Sequence, residues 1–263
     1  EIMATLAREG NLVLFMENIG GRSPRWRDLP RVWRRIRNWS RGVNGFRQEQ
    51  PNLFVYSPLV LPFPYSRVAR WVNRKLLLRA LRRWMRVIGF GRPIVWTFLP
   101  TPTVRDLIRE LEPEVTIYYC IDDFSASSVS ARRVRGSETR LLREADLVFV
   151  TSEKLRERAA RVSRRVHLFP FAVNYGQFEA VRRAGGEPPD DLRELPRPVI
   201  GYLGGVHQWV DTELLAEVAG RLPETSFALV GPLQVDVSRL ARAPNVHLLG
   251  ARVSLHVAQT LLQ

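Results

Sequence analysis

VTIYYCIDD at residues 115–123 and ADLVFVTS at residues 145–152 are the two stretches that decide the fold. Each is a short run of apolar, β-branched and aromatic side chains that ends on polar residues, the pattern of a buried parallel strand followed by a loop. Between them, Ser137–Glu144 has a helical pattern, and Ser152 is placed to cap a second helix over Glu153–Val162. Strand, helix, strand and helix in succession predict a βαβ unit with parallel strands.

The same alternation extends toward the amino terminus. Ile2–Gly10 has the pattern of a helix end closed by a glycine, whereas residues 22–50 are rich in Arg and Trp without clean periodicity. Three apolar runs predict strands, and two segments with apolar residues three and four positions apart predict helices. The strands are Asn11–Glu17, Asn52–Leu61 and Pro93–Leu99, and the helices are Ser66–Ile88 and Pro102–Leu111. On the carboxyl side, Val166–Phe169 predicts one more short strand.

A second unit follows a stretch of linker composition, GGEPPDD at residues 185–191. Beyond it the alternation restarts, with strands Pro198–Leu203, Ser226–Val230 and Val246–Leu249 and helices Thr212–Arg221 and Ser254–Leu262. We therefore expect a first domain over residues 1–183, a linker over 184–197 and the start of a second domain over 198–263. The predicted fold class is α/β, with two Rossmann-like doubly wound domains. A complete domain of this type has about five or six strands, so we expect the second one to be truncated in this chain.

Positive charge is concentrated in one part of the chain. The formal net charge is +14, and residues 22–92 alone hold 18 basic and 2 acidic residues, whereas residues 184–263 hold 6 and 9. In the predicted helix Ser66–Ile88, basic side chains that include Arg79, Arg82, Arg83 and Arg86 surround an apolar stripe. Such a helix suits an anionic membrane surface or a lipid-linked acceptor. A solvated helix face explains it as well, and nucleic acid is an unlikely partner because no recognised nucleic-acid motif is present.

Composition excludes several classes of protein. No run of 18 apolar residues and no signal-peptide pattern are present, so we expect a cytoplasmic protein, with the basic helix as a candidate for the inner face of the plasma membrane. Cys120 is the only cysteine, which excludes an internal disulfide and a cysteine-rich metal site. No H-E-x-x-H, C-x-x-C or EF-hand spacing occurs, so we expect neither a metal nor a cofactor.

Glycines follow the predicted strands of the second unit, where ligands of open α/β sheets bind. The candidate donor-binding residues at these strand ends are Gly204, Gly205, His207, Gly231, Pro232 and Arg252. Glycine lets the backbone approach a ligand, and the start of the Thr212–Arg221 helix offers N–H groups to a phosphate. The loop is neither a full G-x-G-x-x-G fingerprint nor a Walker A loop, so a tight strand-to-helix turn explains it as well.

Two carboxylates, Asp122 and Asp123, end the strand that begins at Val115. At a strand end a carboxylate serves as a general base or binds a sugar hydroxyl. Adjacent strand residues point to opposite faces, so both side chains are not expected to reach one substrate. The alternative is structural: one of them caps a helix or pairs with an arginine.

Several of these segments, in this order, resemble GT-B glycosyltransferases, above all the group-1 (GT4-like) bacterial branch that builds cell-surface polysaccharides. Tyr118–Phe124 resembles a YD.vDDf segment, and Ala145–Ser152 is similar to an aDlvfvtS strand. His167–Asn174 resembles the interdomain v.piPnGvd segment, except that Phe-Ala stands in place of Asn-Gly. Pro198–Gly204 resembles the opening strand of the donor domain, and Phe227–Pro232 and Asn245–Gly250 follow in the expected order.

The resemblance implies transfer of a hexosyl group, without a metal, from a nucleotide sugar to a glycan or lipid-linked acceptor. Gly204 and Gly205 would lie near the donor phosphates, Gly231 and Arg252 near the nucleotide, and Asp123 would act as a base or orienting carboxylate. The family's first strand is expected before residue 1 and its acidic donor-contacting region after residue 263, so both domains are expected to be incomplete. A nucleotide-sugar epimerase of the same fold and a non-enzymatic membrane-surface protein remain open as alternatives.

Overall fold

A computed structural model describes residues 2–17, 45–61, 63, 66–123, 131–173, 175–184 and 189–251. It divides into two compact units, Glu1–Phe171 and Ala172–Gln263. The division falls before the expected domain end at residue 183, and it assigns helix Tyr175–Ala184 to the second unit. Most of the Arg- and Trp-rich stretch, the predicted helix after Ser254 and the candidate Arg252 lie outside the described residues.

The first unit opens with a small mixed sheet. Helix α1 spans Ile2–Arg8, and strands β1, β2 and β3 span Val13–Met16, Phe46–Gln50 and Leu53–Tyr56. The strand order is β1-β3-β2, with β1 parallel and β2 antiparallel to β3. From the sequence we predicted no strand at β2 and a third strand that extended to Leu61, and both predictions were wrong. Pro51 and Asn52 close the β2–β3 hairpin, and Asn52 has φ 62°, the left-handed conformation that asparagine tolerates in a turn.

Helix α2 covers Arg67–Ile88 and confirms the predicted helix. The Ser66 side chain accepts a hydrogen bond from the Ala69 N–H, and Gly89, with φ 72°, ends the helix. One face of α2 packs under the first sheet. On that face the amide of buried Asn73 both donates to and accepts from the backbone of Leu61, at 2.9 and 2.7 Å. This pair of bonds fixes the chain that leaves β3.

A four-stranded parallel sheet forms the rest of the first unit. Its strands, in spatial order, are β4 Ile94–Thr97, β5 Val115–Cys120, β6 Leu147–Val150 and β7 Val166–Leu168. The connecting helices are α3 Pro102–Leu111, α4 Ala131–Glu144 and α5 Glu153–Ala160. One face of the sheet packs on α4 and α5 to form a buried core. The βαβ arrangement predicted from residues 115–162 is therefore confirmed.

The second unit contains a three-stranded parallel sheet. Its elements are α6 Tyr175–Ala184, α7 Asp190–Arg193, β8 Val199–Leu203, α8 Thr212–Arg221, β9 Ser226–Val230, a 3-10 turn at Leu240–Arg242 and β10 Val246–Gly250. The strand order is β8-β9-β10, and every residue of the central strand β9 is buried. Part of the predicted linker is helical. It contains α7, in which Leu192 is buried. No helix in the described residues is long and apolar enough to cross a membrane.

Candidate functional site

The carboxyl ends of β8, β9 and β10 meet at one edge of the second sheet, as parallel pairing requires. We call the four glycines at this edge, Gly204, Gly205, Gly231 and Gly250, the glycine edge. The Gly204 N–H donates to the Val230 carbonyl at 2.9 Å, and the Gly231 N–H donates to the Gly250 carbonyl at 2.8 Å. Three loops far apart in sequence are therefore held side by side where a ligand of this sheet would bind.

Gly231 is the tightest point of the glycine edge. It has φ 155°, and a Cβ atom at this position would lie 1.9 Å from the carbonyl oxygen of Gly204 and 2.5 Å from its carbonyl carbon. A backbone atom cannot move aside as a flexible side chain does, so only glycine allows the loops after β8 and β9 to approach this closely.

Gly205 presents its backbone at the same edge. Its carbonyl accepts a hydrogen bond from the Tyr202 hydroxyl at 3.2 Å, which fixes the orientation of the Gly205–Val206 peptide. Within the described residues its N–H has no acceptor. A Cβ at this position would lie 3.0 Å from the end of the Gln234 side chain and 3.7 Å, an ordinary contact distance, from two atoms of Pro232. The Gly205 N–H is therefore a candidate donor to an anionic ligand.

His207 and Trp209 lie in a turn that the Val210 N–H closes by donating to the His207 carbonyl at 2.8 Å. Their rings are stacked, with centroids 5.5 Å apart and planes inclined by 18°. The Trp209 side chain is 68% exposed. His207 Nδ1 is buried without a hydrogen-bond partner among the described residues. Because a buried N–H without an acceptor is costly, the neutral imidazole is better protonated on Nε2.

The start of α8 differs from the expectation of free N–H groups. The Asp211 carboxylate caps the helix and accepts a hydrogen bond from the Leu214 N–H at 2.9 Å. Glu213 adds a second carboxylate to the first turn. These carboxylates already compensate the positive end of the helix dipole, so the start of α8 is a poor site for a phosphate. The case for phosphate binding at this loop rests on the glycine backbone.

Asp122 and Asp123 lie just beyond the carboxyl end of β5, in the first unit. Asp122 is exposed, and Asp123 accepts a hydrogen bond from Arg158 Nη1 on α5 at 3.0 Å. The arginine pairing considered from the sequence is therefore present for Asp123. Its side chain is still 38% exposed, so the carboxylate also faces solvent.

Arg158 joins Asp123 to a buried carboxylate. Glu138 on α4 is 3% exposed and accepts from both terminal nitrogens of Arg158, at 2.9 and 3.2 Å. The Tyr118 hydroxyl donates to Glu138 at 3.0 Å, and Arg158 also contacts the Cys120 sulfur at 3.3 Å. These five side chains, from one strand end and two helices, form one network, which we call the Glu138 network.

Electrostatics in the Glu138 network follow from burial and from the charge of Glu138. Burial, reinforced by Cys120 and Glu138, raises the pKa of Tyr118. Burial also raises the pKa of Cys120, although Arg158 opposes this. Burial alone would lower the pKa of Arg158, but Glu138 outweighs it and holds that pKa above its usual value. Tyr118 and Cys120 therefore stay neutral at neutral pH, and Arg158 stays charged.

The basic residues of α2 line its exposed side. We call the side chains of Lys75, Arg79, Arg82, Arg83 and Arg86 the basic face. The Lys75 ammonium lies 4.1 Å from the centre of the Trp71 ring, and Arg82 donates to the Glu110 carbonyl at 2.7 Å. A shallow depression of about 400 Å³ lies between this helix and Glu110. Arg79 and Arg83 have no acidic partner among the described residues.

No family model matches the chain. Over 149 residues it is 28% identical to TuaH of Bacillus subtilis, whose description assigns it to teichuronic acid biosynthesis as a glycosyltransferase, and the match covers 49% of this chain and 36% of TuaH. The structure matches sucrose-phosphate synthase of Thermosynechococcus elongatus with a TM-score of 0.55 and 16% identity, covering 82% of this chain and 59% of that one. HepE of Anabaena, solved with UDP and glucose, matches with a TM-score of 0.51 and 14% identity, covering 95% and 71%.

The chain is therefore homologous over half of its length to a glycosyltransferase, and it shares the GT-B fold of the two solved structures. The predicted resemblance and the α/β Rossmann-like fold class are confirmed. The chain spans about a third of TuaH and less than two thirds of sucrose-phosphate synthase, at 36% and 59% of their lengths.

In the GT-B fold the predicted site residues form three separate groups. The glycine edge brings together Gly204, Gly205, Gly231 and Pro232, whose carbonyl accepts from the Val206 N–H at 3.0 Å. Asp122 and Asp123 lie at the β5 end, and the four arginines lie on α2. Among the described residues no group of three His, Cys, Asp or Glu side chains is arranged to hold a metal ion.

Sequence reasoning missed Glu138, Arg158 and Trp209. Glu138 and Arg158 lie in helices α4 and α5, which are rich in charged residues, and no local sequence pattern indicates that Glu138 is buried. Trp209 had a usable signal, because a tryptophan in a loop beside two glycines and a histidine is rarely a core residue.

Replacing Gly231 with alanine is expected to destabilise the second unit by about 2 kcal/mol or more, because the new methyl group overlaps a backbone carbonyl. Amide hydrogen exchange of β8 and β9 measures the change. Gly201→Ala is the matched control, since no atom lies within 4 Å of a Cβ there. Equal protection in the two variants would contradict the close approach of the loops.

Replacing Glu138 with alanine is expected to destabilise the first unit by about 3 kcal/mol, because it leaves Arg158 without its buried partner. Glu153→Ala breaks the ion pair with Arg156, in which the side chains are 58% and 53% exposed, and should cost less than about 1 kcal/mol because solvent screens it. Urea unfolding followed by tryptophan fluorescence reports the first unit, which contains six of the seven tryptophans. Similar midpoints for the two variants would show that the buried pair does not stabilise the unit.

Proposed function

We propose that the protein transfers a hexosyl group from a nucleotide sugar to a glycan or lipid-linked acceptor in the synthesis of a cell-surface polysaccharide. The observation that carries the proposal is the glycine edge, in a chain homologous to a glycosyltransferase. HepE, which shares the fold, was solved with UDP and glucose, and this supports a nucleotide-sugar donor.

The donor diphosphate is proposed to lie against the glycine edge. Backbone N–H groups that need not reorient stabilise the negative charge that develops on a leaving diphosphate. The Gly204 N–H, which donates to the Val230 carbonyl, and the Gly205 carbonyl, which accepts from the Tyr202 hydroxyl, hold the chain on either side of the Gly205 N–H. His207, with Nε2 as a donor, adds a second group in the same loop, so we propose that donor binding needs no metal and no other cofactor.

Asp123 is proposed to orient an acceptor hydroxyl. Its pairing with Arg158 holds the carboxylate in place, and a carboxylate oxygen accepts a hydrogen bond from a hydroxyl. Arg158 is itself fixed by buried Glu138, so the position of Asp123 depends on α4 and α5 as well as on β5. Asp122, exposed beside it, has no comparable support in the described residues.

The basic face of α2 is proposed to meet an anionic surface, either the inner leaflet of the plasma membrane or the phosphate of a lipid-linked acceptor. Trp71 is 51% exposed beside Lys75, which gives the face an amphipathic end of the kind that settles at a membrane interface. Each basic side chain near such a surface contributes about 1 kcal/mol. This would make the protein a cytoplasmic, peripheral membrane enzyme.

The donor proposal predicts saturable binding of one of UDP, GDP, dTDP and ADP, measured by calorimetry without added metal. Gly205→Ala should weaken this binding about tenfold or more, because a methyl group keeps the phosphate from the backbone. The fold should tolerate it, since only the tip of Gln234 must move.

Gly201→Ala is the control for the same change of side chain at an open position of β8. If a folded chain binds none of the four nucleotides, the transferase proposal loses its main support and a membrane-surface binding protein becomes the better explanation. If a nucleotide sugar binds but product analysis shows an isomerised donor, the protein is an epimerase.

The basic face predicts salt-sensitive binding to vesicles that contain anionic lipid. Reversing Arg79, Arg82, Arg83 and Arg86 to glutamate should reduce binding about tenfold or more in a sedimentation assay. The control reverses four exposed arginines elsewhere in the first unit, Arg140, Arg143, Arg161 and Arg164, for the same change in net charge. Equal losses in both variants would show that total charge, rather than this face, governs binding.

A further inference from the structure

Trp209 is the most exposed aromatic side chain near the glycine edge, and no part of the proposed mechanism uses it. It is 68% exposed, although tryptophan is a residue that a folded chain usually buries for the most part. Its ring is not loosely placed, because it stacks on His207 in a turn closed by a hydrogen bond. A large aromatic face is therefore presented to solvent in a fixed orientation.

The segment around Trp209 is held at both ends. On one side, the Val206 N–H donates to the Pro232 carbonyl at 3.0 Å and the Gln234 N–H donates to the Val206 carbonyl at 2.9 Å. On the other side, Asp211 caps α8. Little conformational freedom remains to be lost when a ligand covers the ring, which is the condition for a preorganised binding residue.

The charges of the loop select the kind of ring that fits. Residues 204–211, GGVHQWVD, contain no Lys or Arg that would bind an anionic ring. Of the two carboxylates at the start of α8, Asp211 caps the helix and Glu213 pairs with Arg239. A neutral ring with hydroxyl groups fits, because its C–H face packs on the indole while the exposed amides of Gln208 and Gln234 accept and donate hydrogen bonds.

We propose that the Trp209–His207 pair is a stacking platform for the neutral hexopyranose ring of the nucleotide sugar. The proposal rests on the proposed function for the identity of the donor, since the diphosphate is assigned to the glycines of the same loop. His207 supports the indole from behind and keeps Nε2 as a donor toward the sugar or its phosphate. The nucleobase has no part in this contact.

The experiment titrates the full chain with UDP, UDP-glucose and methyl α-glucoside and follows the indole N–H resonance of Trp209. Its assignment comes from the signal that Trp209→Phe removes. We expect this resonance to shift with UDP-glucose and not with UDP. We also expect Trp209→Ala to lower the affinity for UDP-glucose about fivefold to tenfold, the loss expected for one stacked ring, and to leave the affinity for UDP unchanged.

Leu222→Ala, which removes an exposed apolar side chain at the far end of α8, is the control and should change neither affinity. A shift with UDP alone, or equal losses for UDP and UDP-glucose in Trp209→Ala, would overturn the proposal and place the nucleotide on the indole. If wild-type protein binds neither nucleotide, the proposed donor is wrong. In that case the titration with methyl α-glucoside tests the stacking platform by itself. A shift of the Trp209 resonance supports the platform, and the absence of a shift overturns it.

Discussion

Parallel pairing of strands is the constraint on which the other features of this molecule depend. Each parallel strand must be followed by a crossover, so the carboxyl ends of neighbouring strands meet at one edge of a sheet. That is why the Gly204 N–H reaches the Val230 carbonyl and the Gly231 N–H reaches the Gly250 carbonyl, although these residues are far apart in sequence. In the first unit the same constraint places the chain after β5 beside the chain after β6, where the Thr151 hydroxyl donates to the Ile121 carbonyl at 3.0 Å.

Local sequence was enough to predict features with a local cause. The apolar runs at β5, β6 and β9 are short and bounded by polar residues, and helices α3 and α5 begin at Thr101 and Ser152, whose side chains cap them. The strand β2 was missed because its charged and amide side chains, FRQEQ, hide the alternation of a solvent-facing edge strand. The Pro51–Asn52 pair was the available signal for that hairpin.

The candidate site depends on contacts between distant residues, and these were beyond local sequence. Arg158 reaches Asp123 from 35 residues away, and Glu138, which fixes it, lies on a different helix. Whether Asp123 was free or paired could therefore be stated only as two alternatives. The start of α8 shows the converse case, since Asp211 before Thr212 is a local capping signal that argues against a phosphate at the helix end.

The space between Gly205 and Gln234 links two loops that follow different strands. A side chain at position 205 presses on the Gln234 amide, whose nitrogen lies 3.0 Å from where a Cβ would stand. Position 205 can therefore enlarge only if position 234 shortens or turns away. Change at this edge is therefore expected to occur through paired exchanges at 205 and 234, whereas position 231, which faces the backbone of Gly204, has no such freedom.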